Sequence, residues 1–252
     1  LMASWRFAFI ALCCVTPSKS LSVPVVSPVR LGVVDALRGS AMVWMSVFHF
    51  CFDLSHFGYW PQDFRSDPVW TLQRTLIVSL FLLCAGMGQA VAIHQGQSWN
   101  RFGKRWMQIA TCAMLVTLGS LAMFPRSYIY FGVLHGMAVM LPLVRATASW
   151  RRWLWLAGGI ALALPWMAHA ALTGPLADWA VYFNARPLNW LGLVSRKPFT
   201  EDYVPLLPWL GVMWWGMAAG IWLLEHRTHW LQVRLPAGLQ GLAVLGRWSL
   251  SY

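Results

Sequence analysis

The chain has 252 residues, of which 58% are hydrophobic and only 11% charged, and it contains 18 tryptophans. Such a composition excludes an ordinary soluble domain and predicts a polytopic membrane protein. The formal net charge is +11. Because the lysines and arginines lie in short loops between apolar runs, the charge indicates membrane topology, and we expect no nucleic-acid partner.

Residues 1–29 are predicted to be a leader and linker that precede a membrane domain at 30–252. A short apolar segment at 7–15 is similar to the core of a signal peptide, but it is too short to span a bilayer. The prolines that follow indicate a linker. A cleaved signal, a disordered cytoplasmic leader and a misassigned start remain open.

Apolar runs of about twenty residues recur along the rest of the chain, which predicts an all-α, polytopic transmembrane helical bundle. The candidate spans lie at about 33–54, 70–93, 106–124, 128–144, 153–172 and 204–224. A seventh run begins near Leu239 and reaches Tyr252, which is about 21 Å of helix. We therefore expect about seven spans, with the last one incomplete.

The first of these spans carries ionisable side chains where a lipid-spanning helix normally has none. They are Asp35, Arg38, His49 and Asp53. At about 100° per residue, these side chains and His56 return to one face of the helix, and His49 and Asp53 are one turn apart. A charge that faces hydrocarbon is costly, so we predict that this stripe faces protein or an internal cavity and forms one wall of a reaction chamber.

Lysines and arginines are denser in alternate loops, and the positive-inside rule makes those loops cytoplasmic. The denser loops hold Arg101, Lys104 and Arg105, then Arg145, Arg151 and Arg152, then Arg227, Arg234 and Arg247. The first helix then starts inside, so His49, Asp53 and His56 lie toward the outer face. We expect a multi-pass protein with a cytoplasmic N-terminus.

The same topology brings further polar residues to the outer half of the bundle. Arg74 lies on the second span, His135 on the fourth, and Glu201 and Asp202 just precede the sixth. A buried histidine near a carboxylate suits a general base or a nucleophile, as acyl transfer requires. For each residue alone, a hydrogen-bonded structural histidine or an ion pair is the alternative.

Three segments have both a functional and a structural interpretation. The long connection at 173–203 mixes aromatic and charged residues, so it is either an ordered cap that stacks on a sugar ring or an interfacial amphipathic helix. Glycines flank His135, and small residues fill 84–90 at the inner end of the second span. They either admit a thin ligand or let helices pack closely, and packing is the commoner explanation.

The cytoplasmic basic residues form a second candidate site. They suit the phosphates of a nucleotide-like donor, and equally the headgroups of anionic lipids. The sequence contains no glycine-rich phosphate loop and no metal-ligand spacing, so we predict no metal.

Short motifs occur in a set order from about Arg30 to Tyr252. They are Arg38-Gly39, Met45, His49-Phe50, Asp53-Leu54 and Gly58, then Phe81 to Gly86, Phe131 to Gly136, Pro205 to Gly211 and Leu245 to Tyr252. Together they resemble the bacterial branch of the heparan-α-glucosaminide N-acetyltransferase catalytic-domain family.

The resemblance implies a transmembrane N- or O-acyltransferase that moves an acetyl group from cytoplasmic acetyl-CoA to an amino sugar or other glycan on the periplasmic side. A histidine either carries the acetyl group or acts as base while donor and acceptor meet directly. By motif, His49 and Asp53 form a pair and His135 is their partner. His56 competes with His49, because the histidine assigned to transfer in the lysosomal branch lies past this helix.

The resemblance also implies the binding residues and the partners. Donor binding is expected at Arg38, Arg101, Lys104, Arg105 and Arg145. Acceptor binding is expected at Arg74, Glu201, Asp202 and Trp209. The expected partners are membrane lipids, acetyl-CoA and the acceptor, in the bacterial inner membrane, and a homodimer is compatible with the sequence.

Two other functions remain open. Intramembrane histidine and aspartate residues equally suit a proton-coupled transporter or flippase, although the sequence shows no internal repeat of the kind many transporters have. In a non-catalytic partner of an envelope-glycan assembly, the same residues would only bridge helices.

Overall fold

The computed structural model describes residues 32–64, 66–228 and 235–247. Their helices, in chain order, are α1 (Gly32–His56), α2 (Pro68–His94), α3 (Trp99–Met123), α4 (Val133–Ala146), α5 (Trp153–Thr173), α6 (Ala180–Asn184), α7 (Arg186–Asn189), α8 (Leu206–His226) and α9 (Ala237–Arg247). These ranges contain no strand, and the all-α prediction is confirmed. The leader predicted at 1–29 and the end of the seventh run lie outside the described residues.

Four of the described helices are long and apolar enough to cross a membrane, namely α2, α3, α5 and α8. The first helix, α1, has 25 residues and is long enough, but it carries the ionisable stripe. Helix α4 has 14 residues, or about 21 Å, which is shorter than a hydrocarbon core of about 30 Å. Each predicted run therefore contains a helix, but the fourth is not a full span by length.

Two helix starts differ from the predicted spans. Helix α3 begins at Trp99, seven residues before the predicted span, because the Ser98 side chain accepts a hydrogen bond from the Arg101 amide and caps the helix. Helix α4 begins at Val133 and not near 128, because Tyr128 and Phe131 use their carbonyl oxygens for a neighbouring segment. Both differences in helix start arise from polar contacts at the helix ends, which a hydropathy pattern does not predict.

The chain divides into two compact units. The first contains the described residues up to Cys84 and from Trp222 onward. In this unit α1 packs on α9 with close backbone contact. A Cβ on Gly39 would overlap the carbonyl oxygen of Leu242, and a Cβ on Gly246 would overlap that of Asp35. Glycine at both positions is therefore a requirement of the helix crossing.

The second unit comprises Ala85–Ile221. Helix α3 packs on α4, and the Trp106 indole donates to the Ala138 carbonyl at 2.7 Å. Helix α5 approaches α8 closely, because a Cβ on Gly211 would lie 2.6 Å from the Gly158 carbonyl oxygen. Small residues again set the distance between helices.

Candidate functional site

The polar stripe of α1 lies on the side of the helix that faces away from its exposed aliphatic residues. Asp35 and Arg38 are 1% and 0% exposed, and His49 and Asp53 are partly buried. Val47, two residues before His49 and so about 160° around the helix, is 53% exposed. The stripe therefore faces protein along most of its length, which is the arrangement the cost of a lipid-facing charge requires.

Near the start of α1, Asp35 lies between two guanidinium groups. Its Oδ1 is 3.6 Å from Arg38 Nη1, and its Oδ2 is 3.7 Å from Arg247 Nε on α9. Arg38 also donates through Nη2 to the Cys84 carbonyl at 3.5 Å. Arg38, expected to bind the donor, is thus buried in a network that joins α1, α2 and α9.

In the second half of α1, His49 lies beside an aromatic cluster. The Phe48 ring meets the His49 ring edge-on at 5.9 Å, and it contacts the rings of Phe64 and Trp70 at 5.5 and 5.8 Å. The cluster fixes this part of α1 against the segment that leads into α2. His49 is therefore held in a partly apolar setting one turn from Asp53.

His56 and Arg74, the other candidates of the first unit, are both exposed. The His56 ring stacks on Phe52 with centroids 6.4 Å apart. Arg74 lies on α2 between Leu72 and Leu76, which are 58% and 44% exposed. Its side chain thus lies on an exposed, largely aliphatic face of α2.

In the second unit, both ring nitrogens of His135 are engaged. The Gly132 amide donates to Nδ1 at 3.3 Å, and Nε2 lies 2.8 Å from Thr117 Oγ1. The Thr117 hydroxyl itself donates to the Ile129 carbonyl at 2.9 Å. Because Nδ1 accepts a hydrogen bond, the neutral ring carries its proton on Nε2. The Nε2–H group then donates a hydrogen bond to the Thr117 hydroxyl oxygen. This geometry is that of a structural histidine at a helix N-terminus.

Asp202 and Glu201 hold the segment before α8 against the segment before α4. Asp202 Oδ2 accepts from the Val133 amide at 2.8 Å at the N-terminus of α4, where a carboxylate is stabilised by the helix dipole. Glu201 Oε1 accepts from the Ser127 hydroxyl at 2.7 Å. A Cβ on Gly132 would overlap the Asp202 carboxylate. The glycine before His135 therefore admits a carboxylate of the same chain.

The long connection is an ordered assembly of short helical turns rather than one amphipathic helix. The Tyr203 hydroxyl donates to the Asn189 carbonyl at 2.6 Å, and Asn184 bonds to Ser195. Burial raises the pKa of Tyr203, so its hydroxyl remains a donor. Arg186 lies over the Tyr128 ring at 5.1 Å. Arg186, which is exposed on this connection, thus contacts the partly buried Tyr128 of the segment before α4.

Trp209, the remaining acceptor candidate, is partly buried on α8. It lies in the first turn of that helix, three residues after Leu206.

The basic candidates of the second unit separate into one buried and several exposed residues. Arg145 is 6% exposed, donates to Gln97, and lies 4.8 Å from the ring centroids of Trp99 and Phe102. Its guanidinium therefore joins the end of α4 to the loop before α3. The exposed residues are Arg101, Lys104, Arg105, Arg151 and Arg152.

Two residues that sequence reasoning did not assign to the site are Arg247 and Thr117. Arg247 lies within one of the motifs, and the sequence analysis assigned it to a cytoplasmic loop. Nothing in the sequence indicates that it pairs with Asp35. Thr117 lies in an apolar run, where nothing in the sequence predicts its bond to His135. In the described residues, no group of three or more His, Cys, Asp or Glu side chains is arranged to hold a metal.

Comparison with known proteins gives one family match. Residues 30–252 match the family described as heparan-alpha-glucosaminide N-acetyltransferase, catalytic. No curated protein and no solved structure matches the chain.

Proposed function

The chain belongs to the heparan-α-glucosaminide N-acetyltransferase catalytic family and is thus a membrane acetyltransferase, and we propose that it moves an acetyl group from cytoplasmic acetyl-CoA to an amino sugar or other glycan in the periplasm. The observation that carries the proposal is the family match over residues 30–252. The protein then lies in the bacterial inner membrane with its N-terminus in the cytoplasm.

His49 is the residue that we propose for the chemistry. As an acyl carrier, a neutral ring nitrogen attacks the thioester carbonyl, the carbon–sulfur bond breaks, and CoA leaves as a thiol after taking up a proton. The acceptor amine then attacks the acetyl-imidazole and releases the histidine. As a base, His49 instead takes the proton of the amine while the amine attacks acetyl-CoA directly, the carbon–sulfur bond breaks, and the departing CoA sulfur receives that proton from His49. Asp53, one turn away, orients the ring in both routes.

His135 is proposed as a positioning residue. Its ring bonds to Gly132 and Thr117, and this holds the start of α4 against α3. Because Nδ1 accepts and Nε2 donates, neither nitrogen is available to a substrate in this arrangement. The sequence predicts His135 as a direct partner of His49, and we propose an indirect role for it here, while exposed His56 remains the alternative to His49.

Donor binding is proposed for the exposed basic rim of the second unit. Arg101, Lys104 and Arg152 are exposed, and no carboxylate occurs between Asp67 and Asp178 in the sequence. Such a rim attracts the phosphates of CoA. Arg145 holds the loop before α3 in place through its hydrogen bond to Gln97 and its contacts with two aromatic rings.

Acceptor binding is proposed for the ordered connection before α8. Sugar rings are bound by aromatic faces together with hydroxyl or guanidinium donors. Tyr128 supplies an aromatic face and a hydroxyl, and Arg186 supplies a guanidinium whose Nη1 lies 3.0 Å from the Tyr128 hydroxyl oxygen. Glu201 and Asp202 act here by holding the connection to the start of α4.

To test the proposal, the purified protein in detergent is incubated with acetyl-CoA and glucosamine. We expect N-acetylglucosamine, identified by mass spectrometry, together with one free CoA thiol per acetyl group transferred. His169→Ala, at an exposed histidine of α5, is a control that keeps the activity. The transporter is favoured if no product forms with a panel of amino sugars and if the protein in sealed vesicles takes up solute in response to a pH gradient without acetyl-CoA.

A further inference from the structure

A tryptophan ring is exposed at the start of α3, next to the basic rim. Trp99 is the first residue of this helix and is 58% exposed. The buried Arg145 guanidinium lies over the ring, 4.8 Å from its centroid, and the buried Phe102 ring meets it in a T-shaped contact at 5.5 Å. Two buried neighbours therefore fix the indole, and its exposed surface lies away from them.

The surface beside the Trp99 ring is open. Gly103 follows one turn later on α3, about 40° around the helix from Trp99. Apart from its chain neighbours and the helix backbone, no atom of the described residues lies within 4 Å of a Cβ placed on Gly103. A flat group that stacks on the exposed part of the ring therefore meets no side chain at this glycine.

Polar groups continue this surface from the ring to the basic rim. Asn100 and Lys104 are both exposed. They lie about 100° and 140° around α3 from Trp99, so the order around the helix is ring, glycine, amide and cation. Lys104 is about 8 Å along the axis from Trp99, a separation that one nucleotide can bridge. A nucleotide needs these three groups: an aromatic face for its base, an amide for the edge of the base and a cation for its phosphate.

We propose that this surface binds the adenine nucleotide of acetyl-CoA, with the base stacked on Trp99, its edge hydrogen-bonded to Asn100 and a phosphate on Lys104. The inference rests on the proposed function, which supplies acetyl-CoA. A side-chain amide matches adenine because it pairs one donor and one acceptor with the amino group and ring nitrogen of that base. An anionic lipid headgroup satisfies Lys104 but has no flat ring for the Trp99 face.

Kinetics with two acetyl donors test the stacking contact in Trp99→Ala. We expect the KM for acetyl-CoA to rise about tenfold, the loss of one base-stacking contact, while kcat stays within about twofold of wild type. The KM for S-acetyl-phosphopantetheine, which has a phosphate but no base, does not change. Trp99→Phe keeps an aromatic face and most of the affinity. Trp166→Ala, at an 84% exposed tryptophan of α5, leaves both KM values unchanged.

A second variant leaves Trp99 and its contacts with Arg145 in place. In Gly103→Leu, the new side chain leans toward the preceding turn and fills the space beside the ring. We expect the KM for acetyl-CoA to rise, the KM for S-acetyl-phosphopantetheine to stay the same, and the Tm not to fall, because the space is open. Gly159→Leu makes the same change on α5, where an added Cβ also has open space, and leaves the KM for acetyl-CoA unchanged.

Direct binding separates this inference from the proposed function. Isothermal titration with adenosine 3′,5′-bisphosphate, the nucleotide half of CoA, should give a Kd about tenfold higher in Trp99→Ala than in wild type. Unchanged KM and Kd values in Trp99→Ala and Gly103→Leu, with an active wild type, overturn the inference alone. Equal rises in KM for both donors also overturn it, because they mean that Trp99 only holds the rim in place. Binding of the bisphosphate that depends on Trp99, without acetyl transfer to any amino sugar, overturns the proposed function alone.

Discussion

Asp35 and Arg247 form an ion pair across the contact of α1 and α9, with 3.7 Å between Oδ2 and Nε. The same carboxylate lies 3.6 Å from Arg38, which is fully buried. Removal of the negative charge leaves a buried guanidinium without its carboxylate. We expect Asp35→Asn to lower the free energy of unfolding by about 3 kcal/mol, measured by denaturant unfolding in detergent.

Asp178→Asn provides the matched control, because Asp178 is exposed. Its unfolding free energy should stay within about 0.5 kcal/mol of wild type. Equal stability of Asp35→Asn and wild type would show that the charge network contributes nothing to the α1–α9 contact.

Alanine substitution at two helical glycines should change stability in opposite directions. A Cβ on Gly39 would overlap the Leu242 carbonyl oxygen, so α1 and α9 must separate in Gly39→Ala and the Tm falls. Gly103 on α3 has open space around the added atom, so Gly103→Ala gains helix propensity, up to about 1 kcal/mol. Thermal unfolding in detergent measures both. A Gly39→Ala protein as stable as wild type contradicts the close crossing.

The Thr117 hydroxyl should be required for the placement of His135. Thr117→Val leaves the Nε2 proton without an acceptor, and we expect a loss of about 1–2 kcal/mol in unfolding free energy. Thr173→Val is the control, because the Thr173 hydroxyl bonds only within its own helix, to the carbonyls of His169 and Ala170. A similar loss in both variants would mean that the Thr117–His135 bond stabilises the protein no more than a hydrogen bond within one helix does.

Substitution of His135 itself distinguishes positioning from chemistry. Glutamine can also accept from the Gly132 amide and donate to Thr117, so we expect His135→Gln to keep more of the transferase activity than His135→Ala. The pH profile of kcat should be that of wild type in His135→Gln. Complete loss of activity in both variants would return His135 to the reacting groups.

The arginines of the basic rim should divide into a structural and a binding class. Arg145→Ala removes the bonds to Gln97 and the contacts with two rings, so we expect a lower Tm. Arg101→Ala and Lys104→Ala, at exposed positions, should keep the Tm but raise the KM for acetyl-CoA, with a smaller difference at high salt. Unchanged KM in both would assign the rim to lipid headgroups.

The sequence was sufficient to predict the helices and the buried side of the first one. Hydropathy located each long helix, because a run of about twenty apolar residues has few alternatives in a membrane. The spacing of Asp35, Arg38 and His49 predicted a single face, and the burial of Asp35 and Arg38 agrees with it.

The roles of individual polar residues could not be predicted in the same way. Asp202 caps α4, and Arg145 holds a loop, because residues far apart in the chain meet there. A single amino-acid sequence does not indicate which distant backbone amide a carboxylate will meet. For the same reason the start of α4 was predicted near 128 and is found at Val133.

The most direct test of the account is acetyl transfer across a sealed membrane. Acetyl-CoA with a radiolabelled acetyl group is added outside proteoliposomes that contain glucosamine, and labelled N-acetylglucosamine is measured inside. We expect product with wild type and with His94→Ala, an exposed histidine at the end of α2. His49→Ala should reduce the rate by about a hundredfold or more. Transfer at the wild-type rate in His49→Ala, or labelled product only outside the vesicles, would contradict the account.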